Sequence, residues 1–381
     1  MDTKVCLARS ESYEIDEVRA AVHRCFEAFG GAKALCGGKK VVVKPNLLLA
    51  FPPEAAATTH PSVVQAVCEE LAAADCEVVI AESAGGASVL QRQKRLYHVT
   101  GMEQAAQNAG AALPLTFDVR TVKYPEGRVC RSFQMLAEIA DAEFLVDVGK
   151  MKTHGFAYYT GAVKNLFGAV PGLTKPAMHS VYPDRERFAG MIADLCELVH
   201  PGFCILDGVF GMEGHGPSGG SPKRANVIAA GVNPYAVDLA AMRIMGLDPG
   251  KAPIHREGVR RGEAPSKPGE LTLLGDPLQS FETRFVPADG SKKAMHPLLP
   301  KPLRRVLDER FKVFPQIVRK TCVGCGECAK TCPRHTIRIE DGKAVIDYGG
   351  CIRCYCCHEL CPRKAIRFVR RPVPRSGVRS D

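Results

Sequence analysis

The sequence lacks any long apolar run, and this absence limits where the protein is expected to reside. No stretch approaches the roughly 18 consecutive apolar residues that a membrane-spanning helix requires. The first residues, Met1–Asp16, contain no basic segment followed by an apolar one, which is the pattern of a secretory signal. We therefore expect a cytoplasmic protein without a membrane span.

Two further absences limit the classes of ligand. No G-x-G-x-x-G segment lies between a predicted strand and a predicted helix, so the sequence does not indicate NAD or FAD. Basic and aromatic residues are not interleaved, and no known nucleic-acid-binding module is present. Although the formal net charge is +10, we therefore expect no nucleic-acid partner.

Cysteine, in contrast, is abundant and unevenly distributed. Nine of the 17 cysteines lie between Cys322 and Cys361, and the other eight are scattered among apolar neighbours. Without an export signal a disulfide framework is not expected, and clustered thiols of a cytosolic protein are typical of metal ligands. The scattered cysteines are interpreted as small buried hydrophobic residues.

The cysteine-rich segment contains two complete runs of four cysteines, each followed by proline. They have the C-x2-C-x2-C-x3-C-P spacing of bacterial two-cluster ferredoxins, in which the fourth cysteine of each run binds the cluster of the other run. The predicted ligands of one [4Fe–4S] cluster are Cys322, Cys325, Cys328 and Cys361. The predicted ligands of a second [4Fe–4S] cluster are Cys351, Cys354, Cys357 and Cys332.

Alternatives to this assignment follow from single features of the segment. A structural zinc site can be built from isolated CxxC pairs, but two full runs with trailing prolines favour iron–sulfur clusters. Cys356 remains over, between Cys354 and Cys357. It is interpreted as a thiol without a cluster, with an exchange of ligands by one position as the alternative.

The net positive charge belongs to the C-terminal part of the chain. Residues 301–381 contain 19 Lys and Arg against eight Asp and Glu, a surplus of 11, whereas the whole chain carries +10. We expect a basic face that attracts an acidic electron donor such as a ferredoxin or flavodoxin. The alternative is that this charge faces the protein's own N-terminal domain.

The pattern of apolar runs divides the chain into four parts. Residues 1–276 alternate strand-like and helix-like segments, which predicts an α/β domain with a mostly parallel sheet. Residues 277–314 are a basic, proline-rich connector. Residues 315–369, the cysteine module, predict a small α+β domain of the bacterial ferredoxin type, and residues 370–381 a polar tail.

Polar residues follow the predicted strands of the α/β domain where each strand ends. Since ligands of open α/β sheets bind beyond the carboxyl ends of the strands, we expect these residues to form one site. Anion-binding candidates are Lys44, Asn46, Lys150, Lys152, Lys164 and Asn165. Candidates for proton donors, or for ligands of an added metal, are Glu82, His154, Asp207 and Glu213.

Each of these residues also has an ordinary structural interpretation. Lysines after strands can be solvated, histidines can lie at the surface, and carboxylates at such turns often cap helices. The joint interpretation rests on the succession of four strand ends with residues of the same kind.

Several of these segments resemble one family. The segments that are similar to motifs of the DUF362 family are Val43–Asn46, Thr59–Pro61, Glu82–Ser83, Lys150–His154, Gly161–Gly168 and Gly211–Pro217. This family is often fused to a two-cluster ferredoxin module. The resemblance implies an iron–sulfur protein of anaerobic redox metabolism. The resemblance does not imply a particular reaction.

The sequence therefore leads to three functional hypotheses. The first is a ferredoxin-coupled oxidoreductase that acts on a small anionic molecule bound at the strand ends. The second is a non-catalytic electron carrier or accessory subunit, and the third is a redox sensor or metal-handling protein.

Overall fold

The structure, a computed structural model, describes residues 1–288, Pro300 and residues 311–372. The rest of the predicted connector and tail, namely residues 289–299, 301–310 and 373–381, lies outside the described residues. The strands, numbered in chain order, are β1 Lys4–Arg9, β2 Lys40–Pro45, β3 Glu77–Ile80, β4 Val119–Lys123, β5 Ser132–Leu136, β6 Phe144–His154, β7 Tyr158–Thr160, β8 Phe203–Glu213, β9 Ser221–Gly231, β10 Thr272–Gly275, β11 Phe311–Ile317, β12 Ile337–Glu340, β13 Lys343–Ile346 and β14 Ile366–Pro372.

The helices are numbered in the same way among the described residues. They are α1 Ile15–Glu27, α2 Ala32–Cys36, α3 Pro61–Ala72, α4 Leu90–Val99, α5 Met102–Ala109, α6 Ala137–Ala140, α7 Ala162–Asn165, α8 Thr174–Val181, α9 Arg185–Val199, α10 Pro234–Ile244, α11 Pro253–Arg261, α12 Glu327–Lys330 and α13 Cys356–Glu359. A 3-10 turn, Leu166–Ala169, continues α7.

One mixed sheet organises the N-terminal part of the chain. Its strand order is β10-β1-β9-β8-β6-β2-β3, with β7 paired to β6 as a short hairpin. The strands β3, β2, β6 and β8 are mutually parallel, while β9 runs antiparallel to both β8 and β1. The expected α/β domain with a mostly parallel sheet is therefore confirmed.

Both faces of this sheet are covered by helices. Along β1, Cys6 and Ala8 pack with α1 and α3 on one face, whereas Val5 and Leu7 pack with α10 on the other. Successive residues of a strand point to opposite faces, so each face needs its own apolar residues. This explains why the strands are continuous apolar runs without a period of two.

The cysteine module forms a small α+β domain, which lies against the carboxyl ends of the parallel strands. Its strands pair as two antiparallel ribbons, β11 with β14 and β12 with β13. The strand β11 begins inside the predicted connector, and β14 extends to Pro372, beyond the predicted end of the module.

The module is fixed to the α/β domain by apolar and polar contacts. Tyr355 and Phe368 belong to the same buried cluster as Phe156 and Phe188 of the α/β domain. Arg92 Nη1 lies 3.0 Å from Glu327 Oε2, so an ion pair joins α4 to α12. The strand ends of the sheet are therefore covered by the module.

Candidate functional site between the strand ends and the cysteine module

The cysteine module contains two small cavities, each lined by four cysteines. Cys322, Cys325, Cys328 and Cys361 line the first cysteine cavity. Cys332, Cys351, Cys354 and Cys357 line the second cysteine cavity. Each cavity thus receives three cysteines from one run and the fourth from the other run, which is the arrangement that the spacing predicts.

The donor atoms around these cavities fit iron–sulfur clusters. All eight cysteines are free thiols, and thiolates are the ligands of such clusters. Backbone N–H groups donate to three of the sulfurs: Ala344 to Cys322 Sγ at 3.4 Å, Thr336 to Cys332 Sγ at 3.4 Å and Ala365 to Cys361 Sγ at 3.2 Å. Such N–H donors stabilise thiolate charge and help set cluster potentials.

The two cysteine cavities differ in their exposure to solvent. Cys325 of the first is exposed, whereas the second has three buried cysteines and the half-buried Cys351. The ninth cysteine, Cys356, is also buried and lines neither cysteine cavity. It faces the strand ends of the sheet instead.

A strand-end cavity of about 80 Å³ lies where the sheet meets the module. From the α/β domain it is lined by the predicted residues Asn46, Glu82, Lys152, Lys164 and Asn165. From the module it is lined by Cys356, Glu359 and Leu360, which belong to α13 and the residue after it. Both domains therefore contribute to one candidate site.

Three lysines give this cavity a positive character. Lys152, Lys164 and Lys175 line it, and burial lowers the pKa of all three amines. The pKa of Lys152 falls to about 7 and that of Lys175 to about 8. An anion in the cavity would favour the charged form of these amines.

The three amines differ in their hydrogen bonds. Lys152 Nζ donates to Ala57 O at 2.7 Å and to Asn46 Oδ1 at 3.1 Å, and Lys175 Nζ donates to Ser83 O. Within the described part of the chain, Lys164 Nζ has no hydrogen bond or ion pair and lies 5.7 Å from the centre of the Phe167 ring. Lys164 is therefore the amine most available to a ligand.

A buried ion pair forms the wall next to these lysines. Lys44 Nζ lies 2.5 Å from Glu82 Oε2, and both side chains are buried. A Cβ atom at position 168 would lie 2.3 Å from the Glu82 carboxylate and 2.5 Å from Lys44 Nζ. Gly168 therefore leaves the space that the ion pair occupies.

His154 connects the strand ends to the module. Its Nδ1 accepts hydrogen bonds from the backbone N–H groups of Phe156 at 3.0 Å and Ala157 at 3.1 Å. The proton of the neutral ring therefore resides on Nε2, 3.2 Å from Glu359 Oε1. Burial lowers the pKa of His154 well below its usual value and raises that of Glu359.

Asn165 donates a hydrogen bond to the buried carboxyl group of Asp147, a residue that was not among the sequence candidates. Its Nδ2 donates to Asp147 Oδ1 at 2.9 Å and to Lys44 O at 3.3 Å. Asp147 Oδ2 has no hydrogen-bond partner among the described residues, and burial raises the pKa of Asp147 to about 8. A carboxyl group in this environment is largely protonated at pH 7.

The raised pKa of Asp147 predicts a pH-dependent stability. Its contribution is complete below the unfolded pKa of 3.8 and is lost as the pH rises through about 8, because the buried carboxyl must ionise. Asp147→Asn is expected to raise the thermal unfolding midpoint relative to the natural protein, increasingly between pH 5 and pH 8, by on the order of 2 °C per pH unit.

Thermal unfolding under anaerobic conditions at a series of pH values measures this difference. Asp118→Asn is the matched control, because Asp118 is exposed. A constant difference between Asp147→Asn and the natural protein across the pH range would mean that the carboxyl is ionised throughout.

Five of the predicted site residues do not line the strand-end cavity, namely Lys44, Lys150, His154, Asp207 and Glu213. Lys150 Nζ is held by Asp207 Oδ2 and the Tyr13 hydroxyl, each at 2.7 Å, and Tyr13 in turn donates to Asp207 Oδ1 at 2.9 Å. Glu213 Oε2 accepts from the N–H of Val286 at 2.9 Å. Glu82, His154, Asp207 and Glu213 are thus not assembled around one point.

The reason for this separation lies in the length of two strands. Their apolar runs predict ends near Val148 and Leu206, but β6 continues to His154 and β8 to Glu213. Lys150 and Asp207 are therefore paired residues within the sheet, in register with each other. Both side chains are fully buried, which makes their ion pair structural.

Lys175 and His179 are the cavity residues that sequence reasoning missed as ligand contacts. Both lie on α8 and face the cavity, as the i, i+4 spacing on a helix allows. The sequence signal that could have indicated this site is a lysine and a histidine four residues apart, which places both on one face of a helix.

The described residues contain one group with metal-ligand spacing outside the cysteine module. It consists of His23, Glu27 and Glu70 on the surface of α1 and α3. None of the four sequence candidates for an added metal belongs to it.

Every helix of the described residues is too short or too polar to traverse a bilayer.

The paired cysteine cavities and the α/β sheet define an iron–sulfur protein with a second, ligand-sized site. Residues 41–243 match the family described as "Domain of unknown function (DUF362)", and residues 314–362 match "4Fe-4S dicluster domain". The chain belongs to the DUF362 family, and the resemblance in its motifs is confirmed.

Two known proteins are similar to this chain. Thylakoid-associated protein sll1697 of Synechocystis sp. (strain ATCC 27184 / PCC 6803 / Kazusa) is 32% identical over 283 residues, which cover 72% of this chain and 84% of the relative. The lactate racemase apoprotein from Thermoanaerobacterium thermosaccharolyticum has a TM-score of 0.37 and 17% identity. That match covers 60% of this chain and only 54% of the racemase chain.

Proposed function

We propose that the protein is a ferredoxin-coupled oxidoreductase with two [4Fe–4S] clusters, which acts on a small anionic molecule in the strand-end cavity. The observation that carries this proposal is that lysines of the α/β domain and α13 of the module line the same cavity. When bound, the clusters supply single electrons. A cytoplasmic location remains part of the proposal.

The residues of the cavity have separate roles in this proposal. Lys164, with support from Lys152 and Lys175, binds the anionic group. The Glu359 carboxyl lines the cavity on the module side, and His154 Nε2, 3.2 Å from Glu359 Oε1 but outside the cavity lining, can exchange a proton with it. The buried pair Lys44–Glu82 keeps the opposite wall in place.

The position of Cys356 supports transfer between the module and the ligand. It lies between Cys354 and Cys357 in the chain, and its side chain reaches the cavity that the lysines line. The ligand is therefore expected to lie close to the second cysteine cavity.

Anaerobic reoxidation of reduced protein tests the proposal. The protein is purified anaerobically, small molecules that co-purify are identified by mass spectrometry, and reduced protein is mixed with each in a stopped-flow instrument. Acceleration of cluster reoxidation that is lost in Lys164→Ala supports an oxidoreductase. Efficient electron exchange with acceptor proteins but no response to any co-purifying molecule would favour an electron carrier or accessory subunit instead.

The basic surface of the module predicts salt-dependent reduction by an acidic donor. Lys330, Arg334, Arg363 and Lys364 are exposed, whereas Arg353 is half-buried. We expect the rate of reduction by an acidic ferredoxin to fall about tenfold or more between low salt and 0.2 M salt, because ions screen complementary charges. Arg363→Glu/Lys364→Glu should lower the low-salt rate by a similar factor.

A matched double substitution separates local charge from net charge. Arg120→Glu/Lys123→Glu changes the net charge equally on β4, which is exposed and belongs to the α/β domain. It should leave the reduction rate nearly unchanged. A rate that is flat with salt would assign the basic residues to contacts within the chain, such as that of Lys364 Nζ, 5.4 Å from the Phe51 ring centre.

A further inference from the structure

A second, larger space adjoins the strand-end cavity. This outer cleft has a volume of about 650 Å³ and lies between residues 49–52, the loop 82–88 and α4 on one side and the module residues Glu327, Pro362 and Arg363 on the other. Its size is that of pockets that hold drug-sized organic molecules, whereas the strand-end cavity accommodates only a small group.

The two spaces share a wall of small residues. Glu82, Ser83 and Gly85 line both of them. A Cβ atom at position 85 would lie 2.2 Å from Leu360 Cδ2, and one at position 172 would lie 2.1 Å from Gly86 O. Glycine at these two positions keeps the wall to the thickness of bare backbone, so the outer cleft and the strand-end cavity lie directly next to each other.

The floor of the outer cleft is apolar. Leu49, Phe51, Leu96 and Leu136 are buried side chains that line it, and Phe117 is half-buried. Burial of hydrocarbon against such a surface is favourable, by about 25 cal/mol per Å² removed from water. This floor is suited to a hydrocarbon or aromatic body, while Arg92, Arg95, Glu327 and Arg363 contribute charged groups to the rest of the lining.

Arg92, one of the charged residues that line the outer cleft, is already neutralised by partners. Arg92 Nη1 pairs with Glu327 at 3.0 Å, and its Nη2 donates to Gly85 O at 3.0 Å. Arg92 thus fixes the loop, α4 and the module to one another across the cleft. The amine of Lys164 in the strand-end cavity has no hydrogen bond or ion pair among the described residues and remains for an acid group.

We propose that the ligand is an amphipathic acid, with a carboxylate or phosphate group at Lys164 in the strand-end cavity and an apolar body in the outer cleft. This inference rests on the proposed function for the anion site and adds the substrate class. The acid group is bound by charge, and the apolar body contributes affinity in proportion to its buried area.

Calorimetric titration of the anaerobic, cluster-containing protein with straight-chain carboxylates from acetate to decanoate tests the inference. The dissociation constant should fall by up to about fourfold per methylene until the cleft is filled. Gln91→Trp, which fills the cleft from α4, should abolish this gain. Lys94→Trp, on the exposed side of the same helix and outside the cleft lining, should retain it.

The same titrations distinguish the two proposals from each other. Octyl phosphate compared with octanoate identifies the preferred acid group. Lysine-dependent binding with equal affinity for short and long chains would overturn the amphipathic ligand and leave the anion site standing. A chain-length effect that persists undiminished in Lys164→Ala would overturn the anion site and the orientation of the ligand. No binding of any acid would overturn both.

Discussion

Cys332→Ser protein is expected to lose the iron of the second cysteine cavity, although Cys332 belongs to the first run of the sequence. The natural protein should contain about eight iron and eight sulfide per chain, as two [4Fe–4S] clusters require. Cys332 lines the same cavity as Cys351, Cys354 and Cys357. Its loss should therefore remove or degrade one cluster and leave about four iron in the other.

The identity of the lost cluster can be read from two comparison proteins. The electron paramagnetic resonance spectrum of reduced Cys332→Ser should match that of Cys354→Ser and differ from that of Cys325→Ser. Cys356→Ser should keep both clusters, because Cys356 lines neither cysteine cavity. Four iron in the natural protein, or a cluster lost in Cys356→Ser, would contradict the ligand assignment.

Lys164→Ala is expected to weaken binding of octanoate by about 10- to 150-fold without unfolding the protein. One charge-assisted hydrogen bond contributes about 1.5–3 kcal/mol, and Lys164 Nζ makes no hydrogen bond within the described residues that its removal would leave unpaired. Lys152→Ala is a less direct test, since Ala57 O and Asn46 Oδ1 would lose their donor.

Lys150→Met provides the contrasting result. It leaves Asp207 buried without its cation, so we expect a loss of about 3–5 kcal/mol in stability and little effect on the intrinsic affinity for octanoate. Thermal unfolding and cluster absorbance measure folding, and calorimetry measures binding. If Lys164→Ala instead lowers the unfolding midpoint and leaves the octanoate affinity unchanged, the amine is structural.

The parallel strands and the cysteine pairing could be predicted from sequence because both depend on local spacing. The runs that became β2, β3, β6 and β8 are short, apolar and separated by helices, a pattern that leaves little choice other than a parallel sheet. The C-x2-C spacing similarly fixes three thiols on one loop.

The extent of β6 and β8 could not be predicted in this way. Their last residues are polar, and they remain in the sheet because they pair with each other, with β7 and with β9. These pairings join segments far apart in the chain, so no local pattern shows them. As a result, Lys150 and Asp207 were expected at an open edge although they form a buried ion pair.

The contribution of the module to the site was also beyond sequence reasoning. Glu359 and Leu360 stand between the predicted cluster ligands Cys357 and Cys361, and no sequence motif marks them as site residues. Only the docking of α13 against the strand ends places them in the wall of the cavity.

The docking of α13 is expected to couple binding of the clusters to binding of the ligand. The short helix α13 is tied to the cysteine cavities by Cys354 and Cys357 on one side and Cys361 on the other, and the same helix closes the strand-end cavity. By thermodynamic reciprocity, if cluster binding holds α13 in place and so favours the proposed ligand, the ligand raises the affinity for the clusters by the same factor. If the protein has the proposed function, a chain without clusters is therefore expected to bind the ligand more weakly than the cluster-containing chain.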